Sequence, residues 1–159
     1  MPTSTTERGF TLLELLVVVI IIGVLVGAVA VNLAPDARQR LREEALRLAA
    51  VLEQARDEAI ATGSAVAWQS TAVGYRFVQR APDQSWQPLN GDSSLRERAL
   101  APGISLAAVE LPARSAGAEP IILLSPSGVD DPFRITLAAG ELRMRVSSDG
   151  LEPPVVEER

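Results

Sequence analysis

The sequence between residues 8 and 35 reads RGFTLLELLVVVIIIGVLVGAVAVNLAP. Residues 15–34 carry no charged side chain and consist mainly of Val, Ile and Leu, with no polar face. A helix of this length, at about 1.5 Å per residue, measures about 30 Å, which is the thickness of the hydrocarbon core of a bilayer. The stretch therefore predicts a single membrane-spanning helix over residues 10–34.

One acidic residue, Glu14, lies inside this apolar run. A charged side chain in the middle of a membrane helix costs about 2.5–3.5 kcal/mol, and less near an interface, so such residues usually face a protein partner. If the chain is cut between Gly9 and Phe10, the new amino group of Phe10 lies about one helical turn from Glu14. The carboxylate of one subunit could then pair with the amine of its neighbour. The alternative is that Glu14 only marks the headgroup boundary.

The composition excludes several classes of function. The 159 residues suffice for one domain plus an appended segment. The absence of Cys and His rules out disulfides, the usual zinc sites and catalytic centres built on a thiol or an imidazole. A net charge of −5 and a pI near 4.8 make nucleic acid an unfavourable partner.

The remaining candidates for chemistry are weak. Asp130 and Asp131 are adjacent acids, too few for a calcium site. Ser125 and Ser127 flank Pro126 without a general base. We therefore predict no catalytic residue, no cofactor and no metal, and a protein that is not an enzyme.

The region after Pro35 predicts a second, amphipathic helix over residues 35–63. Its apolar positions recur at spacings of three and four, and Gly63 supplies the stop. These positions are Leu41, Ala45, Leu48, Leu52, Ala55 and Ala59. Glu43 and Arg47 are spaced to form an ion pair on this helix. The apolar stripe indicates packing on the core of the chain, or a seam between subunits, or both.

Beyond Gly63 the apolar period changes to two, which is typical of strands. Six segments follow this pattern: SAVAWQS, GYRFVQR, ISLAAVEL, PIILLS, FRITLA and ELRMRVSS. We expect an antiparallel β domain over residues 64–150 set against the helix, hence the α+β class. The tail 151–159 holds two prolines and three glutamates, and we expect it to be disordered.

The N-terminal stretch resembles the class III signal of type IV pilins and type II secretion pseudopilins. Gly9, Phe10, Glu14 and the apolar run carry the resemblance. It implies a pilin-like fold, in which the long N-terminal helix has a membrane-spanning half and an amphipathic half packed on the β domain. It also implies that a prepilin peptidase removes the leader 1–9 and methylates the amine of Phe10, and that Glu14 and Phe10 serve in assembly.

A second resemblance lies in the β domain. The helix end EQARDEAIATG, the segment SWQPLNGDSSLRERALAPGISL and the turn Ser125–Gly128 followed by Pro132 and Phe133 are similar to the minor pseudopilin H subfamily, with its GspH/FimT-type domain. This implies a structural subunit near the tip of a periplasmic filament that helps drive folded proteins across the outer membrane. Its partners would be other minor pseudopilins and the major pseudopilin. It would be a single-pass protein of the bacterial inner membrane with its C-terminal domain in the periplasm.

Three alternatives remain at this point. An ordinary signal peptide could be cleaved near GAVAVNLA. A minor pilin of a type IV pilus, used for twitching or DNA uptake, could use Arg143 and Arg145 on phosphates, and a signal-anchored periplasmic domain could have another function. The distribution of arginines conflicts with a periplasmic C-terminal domain. Arginines near the ends of a membrane span favour the cytoplasmic side. Only Arg8 precedes the apolar run, whereas Arg38, Arg40 and Arg42 follow it, and counting alone would place the C-terminal domain in the cytoplasm.

Overall fold

The computed structural model of the protein describes residues 12–32, 36–89, 95–112 and 121–158. The chain divides into two compact units, Met1–Asp36 and Ala37–Arg159. The predicted cleavage site at Gly9 and Phe10, and Pro35 between the predicted helices, lie outside the described residues.

The described part of the first unit is helix α1, Leu12–Asn32. It falls within the segment predicted as helix from the unbroken run of Val, Ile and Leu. Glu14 lies in its first turn, where a carboxylate interacts favourably with the positive end of the helix dipole.

The second unit begins with helix α2, Ala37–Thr62. Every position of the predicted apolar stripe is buried, which confirms packing on the core: Leu41, Ala45, Leu48, Leu52, Ala55 and Ala59. Gly63 directly follows the helix, and its φ of 63° is a left-handed conformation that glycine adopts without strain.

The prediction that Arg47 pairs with Glu43 on α2 is wrong. Arg47 pairs with Glu44, while Glu43 accepts a hydrogen bond of 3.0 Å from Gln39. Glu44 lies beside the apolar stripe, and its side chain is only 3% exposed. A carboxylate taken out of water needs a cation more than an exposed one does, so the arginine is drawn to Glu44.

The described residues after α2 form two antiparallel sheets. The strands are β1 Val66–Ser70, β2 Gly74–Arg80, β3 Trp86–Pro88, β4 Arg98–Ala99, β5 Ser105–Glu110, β6 Ile121–Leu124, β7 Phe133–Ala139, β8 Leu142–Ser148 and β9 Val155–Glu158. The five-stranded sheet has the order β3-β2-β1-β6, with β4 also pairing with β2, and the four-stranded sheet has the order β5-β7-β8-β9.

The core lies between α2 and the inner faces of both sheets. Trp68, Tyr75 and Phe77 supply its aromatic part, with ring centroids 6.1 Å apart for the first two and 6.0 Å for the last two. Ile135, Leu137 and Val146 of the four-stranded sheet are also fully buried there. This arrangement confirms the α+β class.

The six predicted strands are all present, as β1, β2, β5, β6, β7 and β8. The expectation of a disordered tail over residues 151–159 is wrong, because Val155–Glu158 forms β9 along the edge of β8. Two arginines neutralise its acids: Arg145 pairs with Glu157 and Arg38 pairs with Glu158. The tail therefore gains ladder hydrogen bonds and counter-charges that its composition does not indicate.

Candidate functional site

The first candidate site is the surface of α1 around Glu14. The described side chains, those of residues 12–24, are all exposed within the chain, from Leu12 at 87% to Val17 and Val18 at 44%. Glu14 is exposed among them. A continuous apolar surface of this kind marks a contact with lipid or with other proteins. Whether Glu14 meets the amine of Phe10 stays a prediction.

A membrane span was also predicted for this segment. Taken over the described residues alone, no helix is both long enough and apolar enough to cross a membrane.

The second candidate site is the turn at Ser125–Gly128, which carries part of the resemblance. The two serines bond to each other, with the Oγ atoms of Ser125 and Ser127 2.8 Å apart. The backbone N–H of Ser125 donates to Asp130 Oδ1 at 2.6 Å, and that of Gly128 donates to the Ser125 carbonyl at 3.0 Å. The hydroxyls and the carboxylate thus shape the turn itself.

Arg56 on α2 anchors this turn to the helix. Its guanidinium donates to the carbonyls of Gly128 and Leu151, the second at 2.9 Å, and its Nε lies 3.5 Å from Asp130 Oδ2. The Arg56 and Asp130 side chains are only 14% and 4% exposed. One largely buried cation therefore holds together the helix, the turn after β6 and the turn after β8.

Gly150 permits the close approach of those two turns. Its φ is 90°, and a Cβ at this position would lie 2.0 Å from the carbonyl oxygen of Asp130. The Gly150 carbonyl accepts from the Asp130 N–H at 2.9 Å. Any other residue would be strained in this conformation and would force the two backbones apart.

Burial is the largest influence on the pKa of the Asp130 carboxyl. Desolvation raises the pKa of its carboxyl above the ordinary value of 3.8, although the Ser125 N–H and the Arg56 charge act in the opposite direction. Asp131, its neighbour in sequence, is exposed. In the described part of the chain no group of three or more acids is placed to hold a metal ion.

The arginines considered for phosphate binding are engaged within the chain. Arg143 donates to the Leu142 carbonyl at 2.9 Å. Arg145 lies 4.0 Å from Glu157 of β9, and its side chain is 24% exposed. The β9 strand thus places a carboxylate beside the face where a phosphate would have to bind.

An open cleft of about 370 Å³ lies at one end of the four-stranded sheet. Arg134 in its wall is 3.7 Å from Glu110. Three prolines, Pro112, Pro132 and Pro153, also line it. Ser147, Ser148, Asp149 and Glu152 line it as well, and the Ser148 hydroxyl donates to the Glu152 carbonyl at 3.0 Å.

A second group of polar side chains, Glu44 and Arg47 of α2 with Tyr75 of β2, includes two buried residues, Glu44 and Tyr75. Glu44 and Arg47 both act on Tyr75, whose pKa is raised above 10.0 mainly by burial and lowered in part by the Arg47 charge. The sequence pattern predicted the apolar stripe beside these side chains, but not their contact with one another. Arg56 was also missed as a structural residue, and its spacing of four residues from Leu52 and three from Ala59 is the signal that could have found it.

Two family models match the chain. The model described as Type II transport protein GspH matches residues 44–150, and the prokaryotic N-terminal methylation motif matches residues 5–30. The first match begins at the buried Glu44 and ends at Gly150, so β9 lies beyond it. The second includes Gly9, Phe10 and Glu14.

Two individual proteins with the same family name are similar in sequence to this chain. Type II secretion system protein H of Aeromonas hydrophila is 33% identical over 148 residues, covering 82% of this chain and 80% of that protein. The protein of the same name from Pseudomonas aeruginosa is 31% identical over 166 residues, covering 95% and 96%.

Two solved structures of the minor pseudopilin EpsH from the Type 2 Secretion System of Vibrio cholerae share the fold. Their TM-scores are 0.59 and 0.60, at 19% and 17% identity, over 76% of this chain and 96% and 95% of theirs. The predicted pilin-like fold is thereby confirmed.

Proposed function

Because the chain belongs to the Type II transport protein GspH family, we propose that it is a structural minor pseudopilin of a type II secretion system. The observation that carries the proposal is the order of two matches on one chain. The methylation motif over residues 5–30 precedes the GspH domain over residues 44–150. A signal for membrane insertion and processing is thus joined to the domain of a secretion subunit.

The N-terminal residues have separate roles in this proposal. A prepilin peptidase cuts after Gly9 and methylates the new amine of Phe10. The helix that starts there anchors the subunit in the inner membrane before assembly. Glu14 then pairs with the Phe10 amine of a neighbouring subunit and sets the axial register, since an ion pair in an apolar environment tolerates little displacement.

The second unit faces the periplasm and supplies lateral contacts. Its described residues form a scaffold in which Arg56, Asp130 and the Ser125–Gly128 turn fix the loops against α2. Its partners are the other minor pseudopilins and the major pseudopilin, with the subunit placed near the filament tip. The assembled filament helps to drive folded proteins across the outer membrane.

The test is the intact mass of the protein extracted from membranes after co-expression with a prepilin peptidase. The expected product lacks residues 1–9 and carries one added methyl group on Phe10. A Gly9→Leu chain, expressed in the same way, supplies the mass of the unprocessed protein. An uncut wild-type chain, or one cut near Ala34, contradicts the proposal, because either result describes a plain anchor or an ordinary signal peptide.

A further inference from the structure

The five-stranded sheet has an outer face that carries arginines and a tryptophan. In β2 the side chains of Tyr75 and Phe77 point into the core, so the alternating Arg76, Val78 and Arg80 lie on the opposite face. Trp86 of β3 is directly opposite Arg80 in the ladder. We call Arg76, Arg80, Trp86 and Pro88, which surround the buried Val78, the outer face of the five-stranded sheet.

The two sheets treat their outward arginines differently. On the four-stranded sheet Arg134 pairs with Glu110 and Arg145 pairs with Glu157, while Arg143 donates to backbone carbonyls. On the outer face of the five-stranded sheet, Arg76 is held by the neutral side chain of Gln69 at 3.0 Å and Arg80 lies over an aromatic ring. Within the described part of the chain, neither Arg76 nor Arg80 forms an ion pair.

Arg80 and Trp86 form a prearranged pair. The Arg80 guanidinium carbon lies 5.3 Å from the centroid of the Trp86 ring, which is a cation–π contact. Trp86 is still 37% exposed, and the other two residues of β3 are exposed as well. Exposed Trp and Arg side chains that are already ordered are the residues that contribute most to protein interfaces, since little entropy is lost when they bind.

The hairpin that holds this pair is well fixed. The Ala81 N–H donates to the Ser85 carbonyl at 2.9 Å, and the Gln84 N–H donates back to the Ala81 carbonyl at 2.9 Å. Asp83 accepts from both the backbone N–H and the hydroxyl of Ser85, at 3.0 and 2.6 Å. Trp86 of β3 therefore directly follows a short, hydrogen-bonded loop.

The same chain carries an acidic surface whose charge is complementary to these arginines. Glu53 and Asp57 are exposed on α2 and lie one turn apart on the same side of the helix. Among the described residues neither is in an ion pair. A subunit of this fold thus offers an acidic helix face on one element and an unpaired basic, aromatic face on another, as head-to-tail contacts require.

We propose that the outer face of the five-stranded sheet docks an adjacent filament subunit through a helix face that bears carboxylates. Trp86 supplies the apolar anchor, while Arg80 and Arg76 supply the charges. This inference rests on the proposed function. Protein carboxylates are favoured over nucleic acid phosphates because the net charge of −5 repels a polyanion, whereas a local contact with two carboxylates is not so disfavoured.

The test places a photoreactive amino acid at Pro88 of the full-length chain in cells that assemble the filament. Pro88 is exposed on the outer face, opposite Val78. We expect crosslinks to a helical, carboxylate-bearing peptide of another filament subunit, identified by mass spectrometry. Arg80→Gln or Trp86→Ala should lower the crosslink yield about tenfold or more, since each removes an anchor of the contact.

Matched controls separate this contact from general effects. Arg134→Gln removes an equally outward arginine from the other sheet and should leave the yield unchanged. Arg80→Lys keeps the charge but not the planar group, and should restore part of the yield. Unchanged crosslinking in both Arg80→Gln and Trp86→Ala would overturn the proposal, as would crosslinks from Pro88 to nucleic acid.

Failure of the proposed function has a different signature. If the wild-type chain does not copurify with the pseudopilus, the function itself is wrong. If the wild-type chain copurifies and crosslinks from Pro88 map to a surface without carboxylates, only the proposed docking surface is wrong.

Discussion

Arg56 of α2 and Asp130 of the loop before β7 are in direct contact, with 3.5 Å between Nε and Oδ2. Their side chains are 14% and 4% exposed, so water does little to screen the pair. The same guanidinium also donates to the carbonyls of Gly128 and Leu151. The Ser125–Gly128 turn, which carries part of the family resemblance, is therefore an anchoring element of the scaffold.

Replacing Arg56 should destabilise the globular unit strongly. Arg56→Ala leaves the buried Asp130 carboxylate and several carbonyls without their donor, and we expect a loss of about 3 kcal/mol. Arg56→Lys keeps the charge but cannot reach both turns at once, so an intermediate loss is expected. Urea unfolding of the detergent-solubilised chain, followed by tryptophan fluorescence, measures both.

The control for this prediction is the exposed pair of Arg38 and Glu158, whose side chains are 54% and 52% exposed. Arg38→Ala should cost less than about 1 kcal/mol, because exposed pairs contribute little. Equal losses for Arg38→Ala and Arg56→Ala would contradict the anchoring role of Arg56.

Asp130 should make the stability depend on pH in an uncommon direction for a carboxyl group. Burial raises its folded pKa above 3.8, so the folded chain binds this proton more tightly than the unfolded chain. The stabilisation that this proton contributes is complete below pH 3.8, and it is lost as the pH rises through the folded pKa. Asp130→Asn should remove this decline, so its free energy of unfolding should vary less with pH across that window.

Asp149 serves as a control, because its pKa is shifted in the opposite direction to that of Asp130. The backbone N–H groups of Glu152 and Leu151 lower the pKa of its carboxyl below 3.8. Its contribution is present above 3.8 and is lost as the pH falls through the folded pKa. Asp149→Asn should therefore lose stability at neutral pH and match the wild type in acid. Parallel pH profiles for the wild type and Asp130→Asn would refute the assignment to Asp130.

The parts of the fold that follow from local periodicity could be predicted from the sequence. The stripe on α2 repeats every three to four residues, and β8 alternates between buried Met144 and Val146 and outward arginines. Both patterns are properties of a short segment and need no knowledge of its neighbours.

The parts that depend on distant partners could not be predicted in this way. β3 and β4 are three and two residues long, too short to show a period. β9 is recognisable only from the edge of β8 and from Arg38 and Arg145, which lie far away in sequence. The choice of Glu44 over Glu43 depends on which carboxylate the sheet buries, which spacing along the helix does not reveal.

Removing the last strand should weaken the four-stranded sheet. A chain ending at Pro154 loses the ladder with β8 and the partly buried Val156, with an expected loss of about 1–2 kcal/mol. It also leaves β8 as an unprotected edge, which favours association between sheets. Urea unfolding measures the first effect, and size-exclusion chromatography at increasing concentration measures the second.

A double variant, Glu157→Ala with Glu158→Ala, separates the strand from its charges. It keeps the backbone ladder and should cost less than about 1 kcal/mol, because both acids are more than half exposed. If it is as unstable as the truncated chain, the ion pairs and not the strand hold the tail.

Processing of the leader should depend on the size of residue 9. Gly9→Ala should be cleaved and methylated, because alanine is also small, whereas the branched side chain of Gly9→Leu should leave the precursor uncut. Intact mass after co-expression with the peptidase distinguishes the products. Efficient cleavage of the Gly9→Leu chain would refute the proposed recognition of the leader.

Glu14 should matter for assembly and not for insertion or cleavage. Glu14→Ala removes the charge proposed to pair with the Phe10 amine of a neighbour, while making the helix more apolar and easier to insert. We expect normal membrane extraction and a normal cleaved mass, but about tenfold less protein in sheared filaments, since the lost pair acts where water does not screen it. Glu14→Asp keeps the charge on a shorter side chain and should recover part of the incorporation, whereas Glu14→Gln should not. Incorporation of Glu14→Gln at the wild-type level would mean that the charge at this position plays no part in assembly.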